Sequence, residues 1–211
     1  MSVTYDDVLR FIHSFQTVVA ENKDYLTKLD AAIGDADHGI NMDRGMKAAV
    51  AKIEGHPPGD IGALLKTVDM ALVSSVGGAA DPLYGTLFMQ LGMPLGGKSE
   101  LELSDWSAAV EAGVKGLQMR GKAELEDKTM VDAWIPARDA LKTAVDDGLS
   151  MGEALKRSAS AAEEGMTATI PLVARKGRAS YLGERSAGHQ DPGATSTYLF
   201  LRCAADTWNN Q

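Results

Sequence analysis

The chain has 211 residues, 45% of them apolar and 6% aromatic, with a formal net charge of −8. That length suits one domain with a sizeable core, and plentiful Ala, Leu, Met, Lys and Glu favour helices over sheets. The acidic balance argues against a nucleic-acid-binding surface, and no apolar run approaches the roughly 20 residues of a membrane span.

Helix signals then follow one another almost without a strand between them. Thr4, with Asp7 three places on, resembles an N-cap, and Val8, Phe11, Ile12, Phe15, Val18 and Val19 continue at helical spacing. A short second helix is expected over 23–29. After an aspartate-rich stretch, Met42, Met46, Val50 and Ile53 form a stripe that ends at Gly55-His-Pro-Pro-Gly59. Asp60 opens the next helix, which buries Ile61, Leu64, Leu65, Val68, Leu72 and Val76 and stops at Gly77-Gly78. Pro82 stands at the first turn of another. Ser104 is the next cap candidate, with Trp106, Val110, Val114, Leu117 and Met119 leading to Gly121. Thr129 caps a helix containing Pro136, which predicts a kink or a nearby start. Ser150 and Glu153 form a capping box, and Asp191-Pro192-Gly193 opens the final helix to Trp208. The expectation is an all-α, antiparallel barrel or bundle of about eight helices in a single domain spanning 1–211.

One connection is long: residues 174–190 are glycine-rich, carry four basic residues and show no obvious core face. A loop of that length inside a compact domain is usually functional, and it is expected to act as a lid. Cys203 lies in an apolar run and reads as an inert core thiol, and a lone cysteine fits a reducing compartment. The N-terminus lacks the pattern of a secretory leader, so the protein reads as cytoplasmic.

The chemistry concentrates between Leu29 and Asn41. Asp30, Asp35 and Asp37 fall within eight positions, with Gly34 and Gly39 allowing tight turns and a helix starting just afterwards. Carboxylates so crowded repel one another unless a hard cation joins them, and the amides of a helix start favour an anion such as phosphate. A solvated surface loop that merely caps the next helix is the simpler alternative. The spacing is not that of an EF-hand, which needs its glycine and glutamate at other positions. Three carboxylates and a nucleoside triphosphate carry roughly seven negative charges, which favours two Mg²⁺ over one. His38 is placed to contact phosphate, or else to bond a backbone carbonyl, and Asn41 is a weaker neighbour.

A rival lies at Gly92-Met-Pro-Leu-Gly-Gly-Lys98-Ser99, which fits the Walker A expression. Its mechanism needs a strand before the loop and a helix at the Lys-Ser. Here a helical pattern precedes it, Glu100 and Glu102 follow, and the sequence lacks the αβ alternation that would build a parallel sheet. It is a chance match. Around Gly77-Gly78-Ala79, small residues permit close approach of backbone amides to a phosphate. A basic residue of the 174–190 loop then becomes a credible transition-state clamp.

Taken together, Gly34-Asp-Ala-Asp-His-Gly39, Ser74-Ser-Val-Gly-Gly78, Arg120-Gly-Lys122 with Asp127-Lys-Thr129, the run from Ala174 to Ser186 and Gly188-His-Gln-Asp-Pro-Gly-Ala-Thr-Ser196 resemble the nucleotide-binding L subunits of dihydroxyacetone kinase. The resemblance implies two Mg²⁺ held by Asp30, Asp35 and Asp37. It implies phosphates touched by His38, Gly39, Ile40 and Asn41 and by Gly78, Ala79 and Ala80. It also implies ribose and adenine near Gly121, Met130, Asp191, Pro192 and Gly193, with Arg178 reaching in from the lid as the catalytic residue. In this family the hydroxyketone is bound covalently to a histidine of a separate K subunit. Stand-alone L subunits resemble systems whose ADP stays bound as a coenzyme and is recharged by a phosphocarrier M subunit of the phosphoenolpyruvate phosphotransferase system, whereas single-chain relatives use ATP. The resemblance thus implies partner subunits and no nucleic acid or membrane, and leaves a homodimer open. One departure is Ala80-Asp81, where the family has Ser-Gly. It keeps alternatives in view: an ATP-using subunit for a related sugar such as erythrulose, or a regulatory module that binds nucleotide without transferring phosphate.

Overall fold

The computed structural model describes residues 2–55, 59–75 and 80–208. Most of them lie in eight α-helices: α1 (Tyr5–Ile33), α2 (His38–Gly55), α3 (Ile61–Ser75), α4 (Ala80–Gly92), α5 (Leu103–Gly121), α6 (Val131–Asp146), α7 (Met151–Ala168) and α8 (Pro192–Trp208). Each helix packs on the next and α8 closes against α1, giving an antiparallel barrel. Its axis is filled by Phe200, whose ring lies 5.0 Å from Phe11, 5.1 Å from Phe15, 5.4 Å from Trp134 and 5.7 Å from Phe88. Edge-on and tilted aromatic contacts of this kind add to the burial that drives the ring closed. At one end, β1 (Val3–Thr4) pairs with β2 (Glu100–Leu101) as a two-stranded antiparallel sheet. Among the described residues, no helix is long and apolar enough to cross a membrane.

Caps fix where the helices begin. Thr4 and Asp7 hold each other's backbone amides at the start of α1, and Ser150 and Glu153 do so at α7. Asp60 accepts from the Ala63 amide at 2.8 Å, and Asp191 from the Ala194 amide at 2.7 Å. Each such cap stabilises a helix start by about 1 kcal/mol.

Four local expectations shift. Residues 23–29 form no separate helix: the buried stripe Val19, Leu26, Asp30 and Ile33 carries α1 on to Ile33. The start of α5 is set by Glu102 and Asp105 rather than Ser104, and Met119 points to solvent at 73% exposure. Thr129 holds the Val131 amide at 3.2 Å, while Met130 is the cap residue of α6. Finally, the 174–190 segment does have a core face. Ala174 and Ala179, with Leu182 beside them, pack on Ile33, and Arg178–Ser186 is 3-10 helical around a kink at Gly183. The Gly77-Gly78 stop, with Val76, lies outside the described residues.

The Walker-like run has none of the geometry its letters suggest. It leaves the end of α4 through a 3-10 turn at Met93–Leu95, and Lys98 forms an ion pair with Asp105 at 3.1 Å.

Candidate metal and phosphate site

At the end of the barrel opposite the small sheet, α1, α5 and α7 finish and α2, α4, α6 and α8 begin. Four helix N-termini therefore direct free amides and the positive ends of their dipoles to one region. The last turn of α1 carries Asp30 there. Its carboxylate accepts from the amides of Asp37 at 2.9 Å and His38 at 3.1 Å, so the loop 34–37 is wound around it. Gly39 has no room for a Cβ, because the Lys23 carbonyl and Thr27 lie where it would be, which seats the first turn of α2 directly on α1.

One oxygen each from Asp30, Asp35 and Asp37 lies within 4.8 Å of the others. Burial, then the neighbouring Asp35, pushes the Asp37 carboxyl above its ordinary value. A set of hard oxygen donors that repel one another suits Mg²⁺ by size and chemistry. Arg178, at the start of the 3-10 helix, makes an ion pair with Asp35.

The cleft beside the aspartates is floored by Tyr84 and by Asp191, Pro192 and Gly193, and walled by Lys128, Thr129 and Met130 facing Lys176, Gly177 and Arg178. A second cleft adjoins it, sharing Leu83, Thr129, Met130, Lys176 and Gly177 and adding Leu117, Gly121 and Ala123. The result is one groove, charged at the aspartate end and apolar at the other.

Of the residues singled out in the sequence, the three aspartates, His38, Met130, Arg178, Asp191, Pro192 and Gly193 line the first cleft, and Gly121 with Met130 the second. Gly39 and Asn41 are buried beneath it, with Arg44 donating to the Asn41 side-chain oxygen at 2.9 Å. The Ile40 side chain is 48% exposed and lines neither cleft, while its backbone amide belongs to the first turn of α2. Gly78 and Ala79 lie outside the described residues, and Ala80 is the first residue of α4.

His38 has a partner that the sequence did not reveal. Its buried Nε2 lies 2.9 Å from the Ser196 hydroxyl, which accepts from the Tyr84 hydroxyl at 2.7 Å and donates to the Gly193 carbonyl at 3.0 Å. With the serine proton given to Gly193, His38 donates from Nε2. Burial lowers the imidazole to about 4, against a smaller upward pull from Asp30, so the ring is neutral. Asp191 is shifted the other way, up to about 7, by burial; the Ala194 amide opposes this. Lys128, also passed over as a site residue, is buried beside Thr129 with its ammonium on backbone carbonyls.

Fold and site together define a helical barrel that offers a hard-cation and anion site at one end, continued by an apolar groove. Comparison with known proteins makes that class specific. The DAK2 domain model matches residues 32–206. The ADP-binding subunit DhaL of the PEP-dependent dihydroxyacetone kinase of Escherichia coli is 42% identical over 205 residues, covering 97% of this chain and 98% of that protein. The corresponding subunit of the PTS-dependent kinase of Lactococcus lactis is 41% identical, over 94% of this chain and 95% of its own. The crystal structure of the dihydroxyacetone kinase from C. freundii in complex with AMP-PNP and Mg²⁺ has the same fold, with a TM-score of 0.74 at 20% identity over 98% of this chain and 34% of that one. The chain belongs to the DAK2-domain family and, within it, to the nucleotide-binding L subunits of dihydroxyacetone kinase, which are phosphotransferase subunits.

Proposed function

We propose that this chain holds a Mg²⁺-bound adenine nucleotide and presents its terminal phosphoryl group to a hydroxyketone carried by a separate, substrate-binding K subunit. The observation that carries this reading is the convergence of Asp30, Asp35 and Asp37 within 4.8 Å at the barrel end where four helices begin, with Arg178 across from them.

Asp30, Asp35 and Asp37 would hold two Mg²⁺, since a single ion leaves most of the charge of three carboxylates and a polyphosphate unbalanced. When bound, the ions supply charge neutralisation at the phosphoryl oxygens. The chain's own residues do the rest. Amides at the starts of α2, α4 and α8 face the phosphates. Asp191 to Gly193 form the ribose floor, and Leu83, Gly121 and Met130 make the apolar slot for adenine. Arg178 leaves Asp35 to meet the charge that spreads over the transferring group. His38 is held neutral and pointed by Ser196, so it orients and does not act as a general base. Catalysis is positioning and electrostatics, and the proton of the acceptor hydroxyl is handled on the partner.

The high identity to ADP-binding subunits of PEP- and PTS-dependent kinases supports ADP as a resident coenzyme, recharged by a phosphocarrier M subunit in the cytoplasm. Native mass spectrometry of the purified protein tests this: ADP retained through dialysis is the expected result. An empty chain that turns over only with added ATP would replace the coenzyme reading with simple exchange.

A further inference from the structure

Lys128 is the least exposed charged residue among those described, at 1%. Each hydrogen bond of its ammonium goes to a backbone carbonyl, with the Asp191 and Asp132 carboxylates acting on it electrostatically. Three of them, Thr169 at 2.6 Å, Ile170 at 3.3 Å and Leu172 at 3.0 Å, belong to the end of α7 and the strand of chain that leaves it. The fourth, His189 at 2.5 Å, lies just ahead of α8. Residues 174–190 run out from the first group and return at the second. One ammonium thus joins both feet of the segment that carries Arg178. Carbonyls past a helix C-terminus, with the negative end of its dipole, suit a cation, and the Ile170 carbonyl also accepts from the Gly188 amide at 2.8 Å. Three N–H donors facing four acceptors leave no proton for a phosphate.

The backbone around Lys128 is under strain that serves this placement. Among the described residues, the non-glycine positions with positive φ are Ala36, in the aspartate loop, and Lys122, Glu126 and Lys128, in the connection from α5 to α6. Each is a conformation that L side chains disfavour. At φ 62 Lys128 turns its ammonium inward onto those carbonyls, and it lines the cleft together with Thr129 and Met130. The Asp132 carboxylate fixes the turn by accepting from Thr129 at 2.7 Å and Glu126 at 2.5 Å, and the Asp127 carbonyl accepts from the Arg175 amide at 3.1 Å. The nucleotide wall and the arginine-bearing segment therefore share a foundation.

We infer that Lys128 is a positioning residue: it ties both feet of the 174–190 segment to the strained 122–130 wall, so that Arg178 and the nucleotide groove keep one fixed relation. This rests on the proposed role of Arg178 only for its kinetic consequence; the mechanical link stands on the hydrogen bonds alone.

Two measurements test it. In hydrogen–deuterium exchange on the free chain, Lys128→Met should speed exchange of amides 174–190 by about tenfold or more while α1 and α3 keep their protection. Acceleration spread evenly over the chain would make Lys128 an ordinary stabilising residue and overturn the inference. In phosphoryl transfer with the acceptor-bearing subunit, Lys128→Met should slow the rate about as much as Arg178→Ala, and the double variant should be no slower than Arg178→Ala alone. Additive losses would overturn it. If the wild type itself transfers nothing, the functional reading fails while the exchange result still decides this one. Should Lys128→Met not fold, Lys128→Gln, which keeps two donors, is read by the same criteria.

Discussion

Arg178 and Asp35 are paired across the mouth of the cleft, a cation from the 174–190 segment resting on a carboxylate of the three-aspartate cluster. Both groups are partly exposed, so the pair alone is worth little for stability. Its meaning is positional: under the proposed function, the guanidinium already sits beside the carboxylates that would hold the metal ions. Arg178→Ala should therefore slow phosphoryl transfer by roughly 100-fold or more while leaving nucleotide affinity within about threefold. Single-turnover kinetics beside calorimetry separates the two, and an equal loss in both would make Arg178 a plain binding residue.

The three aspartates are not equivalent. Asp30 supports the loop with two accepted amide hydrogen bonds, whereas the exposed Asp35, among the described residues, pairs with Arg178 and holds no backbone amide. Asp35→Asn should abolish Mg²⁺-dependent ADP binding in calorimetry with the melting temperature nearly unchanged. Asp30→Ala should abolish binding and also cost roughly 2–4 kcal/mol, because two amides, one of them fully buried, lose their acceptor. Equal melting temperatures for the two variants would refute the division of labour.

Lys98 gives the opposite expectation. Its ammonium is 3.1 Å from Asp105, at the sheet end of the barrel and away from the groove. Lys98→Ala should leave nucleotide affinity intact and shift stability by less than about 1 kcal/mol. A large loss of affinity would restore the P-loop reading of residues 92–99.

Fold class and the aspartate cluster were legible in the sequence because each rests on local pattern. The Thr4–Asp7 and Ser150–Glu153 caps, the 3.6-residue stripes and three acids in eight positions are all short-range signals. What escaped depends on distant segments meeting. The bond between His38 and Ser196 joins positions 158 residues apart, and Lys128 reaches carbonyls more than 40 residues away. Nothing in the neighbours of Lys128 marks it as buried. Residues 23–29 read locally as a separate helix, whereas α1, which packs on α2 and α8, runs unbroken through them.

Two buried groups in the cleft should leave opposing marks on stability. His38 is lowered to about 4 from 6.5. Between those values the unfolded chain takes up a proton that the folded one refuses, so this group removes stability as pH falls from about 6.5 to about 4. Asp191 is raised to about 7 from 3.8. Between those values the folded chain keeps a proton that the unfolded one has released, so its contribution is full below about 4 and is lost as pH rises to about 7. The two slopes nearly cancel over a shared window. Asp191→Asn, whose amide oxygen can still accept from Ala194, removes one of them. Thermal unfolding of the free chain from about pH 4.5 to about pH 8.5 should show the variant's melting temperature climbing relative to wild type up to about pH 7 and levelling beyond it. The variant's own acid loss should also be steeper than the wild type's, because the His38 slope is no longer offset. A difference curve flat across that range would mean that Asp191 is ionised throughout, with Lys128 rather than burial governing its charge.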